Sequence, residues 1–224
     1  MRYVAKGKEP ETVLATRTAT TTNLSTPASA RDAFNQIDKA KVREALTAEQ
    51  QGLCAFCMRR ADTRSGKNGG PVMRVAHRIP IKAEPSRALD WDNLLGSCDG
   101  ALPGDGTTYC CDVAQGDVPL TVDPTNRASV SKVRYERRGP KSGLFITSDD
   151  PVIASDVERT LALNAGDLPA LRAKAWESFL KDFKAKYPHR YGKEAWRDYF
   201  RQWRNARSAR APIFVGVIEH KVGL

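Results

Sequence analysis

Five cysteines and the gaps between them constrain this chain more than any other feature. Cys54 and Cys57 form a C-x-x-C pair, and Cys98 and the adjacent Cys110 and Cys111 follow after a long interval. A structural zinc ion takes four thiolate or imidazole ligands in a tetrahedron. Cys54 and Cys57 can complete such a set with Cys98 and either Cys110 or Cys111. The chain between the two halves must then fold back on itself. The interval from Cys98 to Cys110 is longer than in a plain zinc ribbon, and Gly100, Gly104 and Gly106 suit the inserted loop it requires.

The chain enclosed by the cysteines carries the chemistry. Val75-Ala76-His77-Arg78-Ile79-Pro80 precedes Trp91-Asp92-Asn93-Leu94-Leu95. The chain has three histidines, and His189 and His220 lie in its C-terminal third. That leaves His77 as the candidate base, because a neutral imidazole near pH 7 can take a proton from water. In a strand-strand-helix metal fold, Asn93 would fix the imidazole. Asp112, directly after the last cysteine, would hold a divalent ion against a scissile phosphate.

The net charge of +10 is unevenly spread over the 224 residues. Residues 170–224 hold 13 Lys/Arg against 5 Asp/Glu, and the first 169 hold 23 against 21. A basic C-terminal third points to a polyanionic partner, with DNA or RNA the usual choice. Arg197, Arg201 and Arg204 share a helix face there. With Arg78 and Lys82 beside His77, they are the candidate phosphate contacts. No apolar run approaches the roughly 18 residues of a membrane span. The start of the chain lacks a signal-peptide pattern, so a cytoplasmic location without membrane contact is expected.

The expected elements follow from periodicity and turn residues. Residues 1–27, rich in Thr, Ser and Ala, read as an extended arm. Ser29 to Gln51 reads as one amphipathic helix. Residues 62–71 form a turn around Asn68-Gly69, and Val72 to Ala76 a short strand. Residues 96–108 are an irregular loop, and Asp112 to Gly116 a short helix. Pro119 to Pro124 is extended. Val133 to Tyr135 and Leu144 to Thr147 are strands around the turn 138–143. Apolar residues at spacings of 3 and 4 define helices over Asp167–Tyr187 and Lys193–Asn205. The expected fold is α+β and helix-rich. Its intervals are an arm and helix (1–50), a zinc-stapled module (51–125) and a basic helical region (126–224).

Several stretches together resemble the HNH endonucleases of retron and Septu anti-phage systems. They are Met1-Arg2-Tyr3-Val4 with Lys6-Gly7-Lys8-Glu9-Pro10, Gln51-Gly52-Leu53-Cys54-Ala55-Phe56-Cys57 and His77-Arg78-Ile79-Pro80-Ile81-Lys82. Asp90-Trp91-Asp92-Asn93-Leu94-Leu95-Gly96-Ser97-Cys98, Cys111-Asp112-Val113-Ala114-Gln115-Gly116-Asp117 and Thr160-Leu161-Ala162-Leu163-Asn164 with Leu171-Arg172 continue the likeness. The resemblance spans nearly the full length. It implies a central ββα-metal module, with Cys54, Cys57, Cys98 and Cys111 as zinc ligands and Cys110 as the spare thiol. It makes His77 the general base, Asn93 its orienter and Asp112 the ligand of a catalytic Mg2+ or Mn2+. It further implies an ABC- or SMC-like ATPase partner, and a retron reverse transcriptase with its DNA–RNA hybrid. The chain departs from the family pattern twice. Ala76 stands where a carboxylate precedes the histidine, and Gln115 replaces a common lysine.

Overall fold

The computed structural model describes residues 1–19, 21–62, 73–103, 107–139, 143–206 and 210–224. The architecture is α+β: helices surround two separate two-stranded antiparallel sheets. The N-terminal arm contains a helix, α1 (Glu11–Thr18), whose Val13 is fully buried. Its short, Thr-rich sequence gave no periodic signal, and burial against the core decides the conformation.

The single helix expected over 29–51 is two helices, α2 (Pro27–Gln36) and α3 (Lys39–Gln50). Pro27 opens α2, and Thr26 and Ser29 exchange the paired bonds of a capping box. Between the helices Ile37 is extended, and the Asp38 carboxylate accepts from the backbone N–H groups of Ala40 and Lys41. A strong N-cap inside an amphipathic run ends one helix and starts the next.

Strand β1 (Arg74–His77) pairs antiparallel with β2 (Leu94–Ser97), so that Ala76 faces Leu95 and His77 faces Leu94. The turn expected around Asn68-Gly69, and Val72, lie outside the described residues. β2 includes Gly96 and Ser97, which the sequence placed in the loop. A side chain at Gly96 would lie 2.7 Å from the Met73 sulfur, so glycine lets Met73 pack directly on the strand. Helix α4 (Cys111–Gln115) follows, then α5 (Arg127–Ser131).

β3 (Val133–Arg137) pairs with β4 (Leu144–Ser148), as expected, and residues 140–142 of their turn fall outside the described set. α6 (Pro151–Ser155) runs into a wide helical turn over Asp156–Thr160. α7 (Leu168–Lys186) and α8 (Lys193–Asn205) occupy the two periodic segments. A last helix, α9 (Val215–Val222), was not legible, because its eight residues are too few to show a helical period.

The main core draws side chains from all three sequence intervals, from Met1 and Val13 through Leu94 to Ile146 and Phe214. A second cluster, between α7, α8 and α9, holds Phe179, Phe183, Tyr199, Phe200 and Trp203. Among the described residues no helix is long and apolar enough to cross a membrane.

Candidate metal centre and histidine site

The thiols of Cys54, Cys57, Cys98 and Cys111 are buried, and their sulfurs all lie within 4.8 Å of one another. The Cys54–Cys111 and Cys57–Cys98 sulfur distances are both 3.7 Å. A tetrahedron with Zn–S bonds of about 2.3 Å has S–S edges of about 3.8 Å. The four residues therefore fit a metal such as zinc, and the fourth ligand position falls to Cys111. Cys110 is the spare thiol, with its sulfur 3.4 Å from that of Cys111.

Local backbone geometry aims these sulfurs. Cys54 N–H donates to Arg59 O at 2.9 Å, closing a tight turn around the C-x-x-C. Ala55 N–H bonds to Gly96 O, which ties the turn to β2. On the other half, Cys110 N–H donates to Gly100 O and Cys111 N–H to Leu161 O, each at 2.9 Å. Gly100 has φ +78, and a side chain there would come within 2.7 Å of Cys110 O, so glycine is required. Cys111 itself holds a left-handed φ of 61. The Arg59 N–H donates to Cys57 Sγ at 3.4 Å, and its guanidinium reaches Cys110 at 3.2 Å and Cys98 at 3.5 Å. Burial opposes the Arg59 charge, but thiolate at Cys57 and Cys98 outweighs it and holds the guanidinium above its ordinary value.

His77 ends β1. Its Nε2 lies 3.0 Å from Ala88 O. A carbonyl only accepts, so Nε2 carries the proton and Nδ1 keeps the lone pair. The ring is buried edge-on against Phe34, with centroids 4.5 Å apart. Burial pushes His77 down to about 4. The bond to Ala88 and the charge of Asp112 oppose the fall, and Arg31 and Lys39 add to it. The imidazole is neutral at pH 7.

Asn93 is fully buried but acts through backbone, not on the ring. Its Oδ1 accepts from Ile79 N–H at 2.8 Å, and its Nδ2 donates to Ile79 O at 2.9 Å and Arg87 O at 3.1 Å. It fixes the chain that leaves His77. Gln115 complements it: its Nε2 shares two hydrogens among His77 O, Arg78 O and Val118 O at 2.9–3.1 Å, pinning α4 against the end of β1.

Asp112, in the first turn of α4, accepts from Arg74 Nε at 2.9 Å. Ala76 is 1% exposed in the core. Among the described residues, the one close group of potential metal ligands is the cysteine set. Asp112 is thus a lone carboxylate with a cationic partner, and the residues present do not form a cage for a catalytic Mg2+ or Mn2+.

The phosphate-contact candidates are largely engaged within the protein. Arg197 donates to Val222 O at 3.2 Å and Gly223 O at 3.4 Å, holding the C-terminal end of α9. Arg204 bonds to Gln51 Oε1. Arg78 donates to Leu120 O at 2.8 Å and pairs with Asp123. Lys82 and Arg201 are exposed and hold acidic neighbours, Asp117 and Asp198. Sequence reasoning missed Arg59, Arg74 and Phe34. Each acts through a contact between distant segments, which no local pattern announces. No family model matches this chain, and no curated protein matches it either.

Proposed function

We propose that this chain is an HNH-type endonuclease that cuts DNA as the effector of an anti-phage system. In that role it works with an ABC- or SMC-like ATPase, and with a retron reverse transcriptase and its DNA–RNA hybrid as further partners. One observation carries the proposal: a neutral His77, with its Nδ1 lone pair unprotonated, ends the first strand of a β-hairpin whose following helix starts on a cysteine of the four-sulfur cluster.

In this mechanism His77 Nδ1 takes the proton from water as it attacks phosphorus. Asn93 and Gln115 hold the His77–Ile79 backbone so that the imidazole does not swing. The cysteine set, with four protein ligands, leaves no open coordination position and has a structural role. Mg2+ or Mn2+ would polarise the phosphate. The lone Asp112 carboxylate gives such an ion no ready-made site, so no step is assigned to it.

A second reading is a zinc-stapled nucleic-acid-binding adaptor without catalysis. The Arg74–Asp112 pair and the buried Ala76 favour it. Plasmid cleavage with the ATPase partner, in Mg2+ or Mn2+, separates the two. The nuclease loses about 10² to 10⁴-fold in rate on His77→Ala. Ala76→Glu puts a carboxylate into the core beside Leu95. In the nuclease it makes cutting more active and less demanding of metal, and makes the thermal midpoint rise with added metal. In the adaptor it only lowers that midpoint. Equal cleavage by His77→Ala and the parent chain overturns the nuclease proposal.

A further inference from the structure

Close to His77, cations without an acidic partner lie on α2 and α3. Arg31, near the start of α2, is exposed, and Lys39 and Arg43 lie one turn apart on α3, both half-buried. Among the described residues none of the three pairs with a carboxylate. Asp38, the acid between the two helices, is engaged in capping α3. Lys39 Nζ sits 3.6 Å over the Phe34 ring and donates to Phe34 O. That ring is the one packed against His77. Arg43 Nε donates to Met73 O at 3.0 Å, just before β1, where the exposed guanidinium of Arg74 follows.

Four cations thus run from α2 across α3 to β1, around the candidate base. Arg74 is paired with Asp112, but the repulsion among Arg31, Lys39 and Arg43 is unrelieved: burial together with Arg43 and Arg31 holds Lys39 down at about 8. A protein that keeps like charges together without acidic partners destabilises itself, and a polyanion laid across them relieves the repulsion. On α8, Arg197 bonds to the Val222 and Gly223 carbonyls, Arg204 to the Gln51 amide and Arg201 to the Asp198 carboxylate, away from His77 on the third segment of the chain.

We propose that Arg31, Lys39, Arg43 and Arg74 form the track that seats a phosphodiester backbone over His77. The track rests on the reading of His77 as the reactive centre, but backbone binding is measurable without cleavage. Arg31 gives the cleanest variant, since it is exposed and makes no hydrogen bond or ion pair among the described residues. Arg43→Lys keeps the charge and serves as the control for loss of the Met73 bond.

The test is fluorescence anisotropy of the full chain with a short duplex DNA of arbitrary sequence, and in a parallel arm with single-stranded RNA, over a range of salt. Each backbone contact contributes about 0.9 to the slope of log affinity against log salt for duplex DNA, and about 0.7 for a single strand. Arg31→Gln is expected to lower the duplex slope by about 0.9, and Arg31→Gln with Arg43→Gln by about 1.8. Arg197→Gln with Arg204→Gln is expected to leave it unchanged, and so is Arg43→Lys. The arm with the tighter binding identifies the nucleic acid. An unchanged slope in Arg31→Gln and the double variant overturns the track, as does a parent chain that binds neither probe. If the slope falls as expected while no variant or parent cleaves, the track stands and the nuclease reading fails.

Discussion

The zinc-type centre and the α7–α8–α9 cluster reach stability by opposite routes. The first is made of strands of four residues and a five-residue helix, tied by sulfurs from four separated positions. Such elements bury little by themselves, and a metal held by the four sulfurs would supply the missing free energy. The second uses long helices and rings in contact. Phe179 touches Trp176, Tyr199, Phe200 and Trp203 with centroid separations of 5.4–6.1 Å. Its stability comes from apolar burial and aromatic edges. The proposed chemistry sits in the first region, where polar groups can be held at fixed positions by short, cross-linked backbone. The second supplies mass and rigidity.

The sharpest way to break this contrast is to remove the metal. Chelation, or Cys54→Ser, is expected to unfold the region from 51 to 115 with a loss on the order of 10 kcal/mol. Hydrogen exchange should keep α7, α8 and α9 protected. If all three helices lose protection together with β1 and β2, the shared core has fused the two regions into one cooperative unit. Purified protein is expected to hold about one zinc per chain, and a folded, metal-free preparation would refute the metal centre.

The reverse experiment is Phe179→Ala. A fully buried phenylalanine truncated to alanine costs about 4 kcal/mol. Thermal unfolding should register that loss while the zinc content stays at one per chain. Loss of zinc alongside stability would show the second region propping up the first.

The smallest effect is the titration of His77. Its native value lies near 4, below the usual 6.5 of an exposed imidazole. The unfolded chain therefore binds the proton first as pH falls. The stabilising contribution is complete above about 6.5 and is lost between there and about 4, amounting to about 3 kcal/mol. The slope of stability against pH over that window should flatten in His77→Gln. An unchanged slope would mean that the imidazole is solvated and protonates normally in the folded protein.

How much of this could be read in the sequence differs between the two regions. The helices of the second region were legible because Leu168, Leu171, Trp176, Phe179 and Phe183 repeat at helical spacing, and Lys193–Asn205 was bounded as observed. In the first, the cysteine spacing gave the ligand set but not the choice between Cys110 and Cys111. Adjacent residues point to different sides, and the left-handed turn at Cys111 selects the sulfur. Asn93 was read as the orienter of the His77 imidazole, and its amide bonds the backbone N–H and O of Ile79 and the O of Arg87. In the basic tail, charge counts do not reveal which guanidiniums the protein uses itself, as it does Arg197 and Arg204. The unneutralised cations on α2 and α3 are inconspicuous in a segment of nearly balanced charge.

The Cys111 amide leans on the carbonyl of Leu161, and this has a consequence for the timing of synthesis. At 5–20 residues per second, Cys54 and Cys57 leave the ribosome on the order of ten seconds before Leu161. Throughout that interval the clamp lacks the carbonyl that sets its last sulfur. The hairpin bearing His77 is therefore expected to stay slack on the nascent chain, so that the proposed reactive centre matures only after two thirds of the polypeptide has been made.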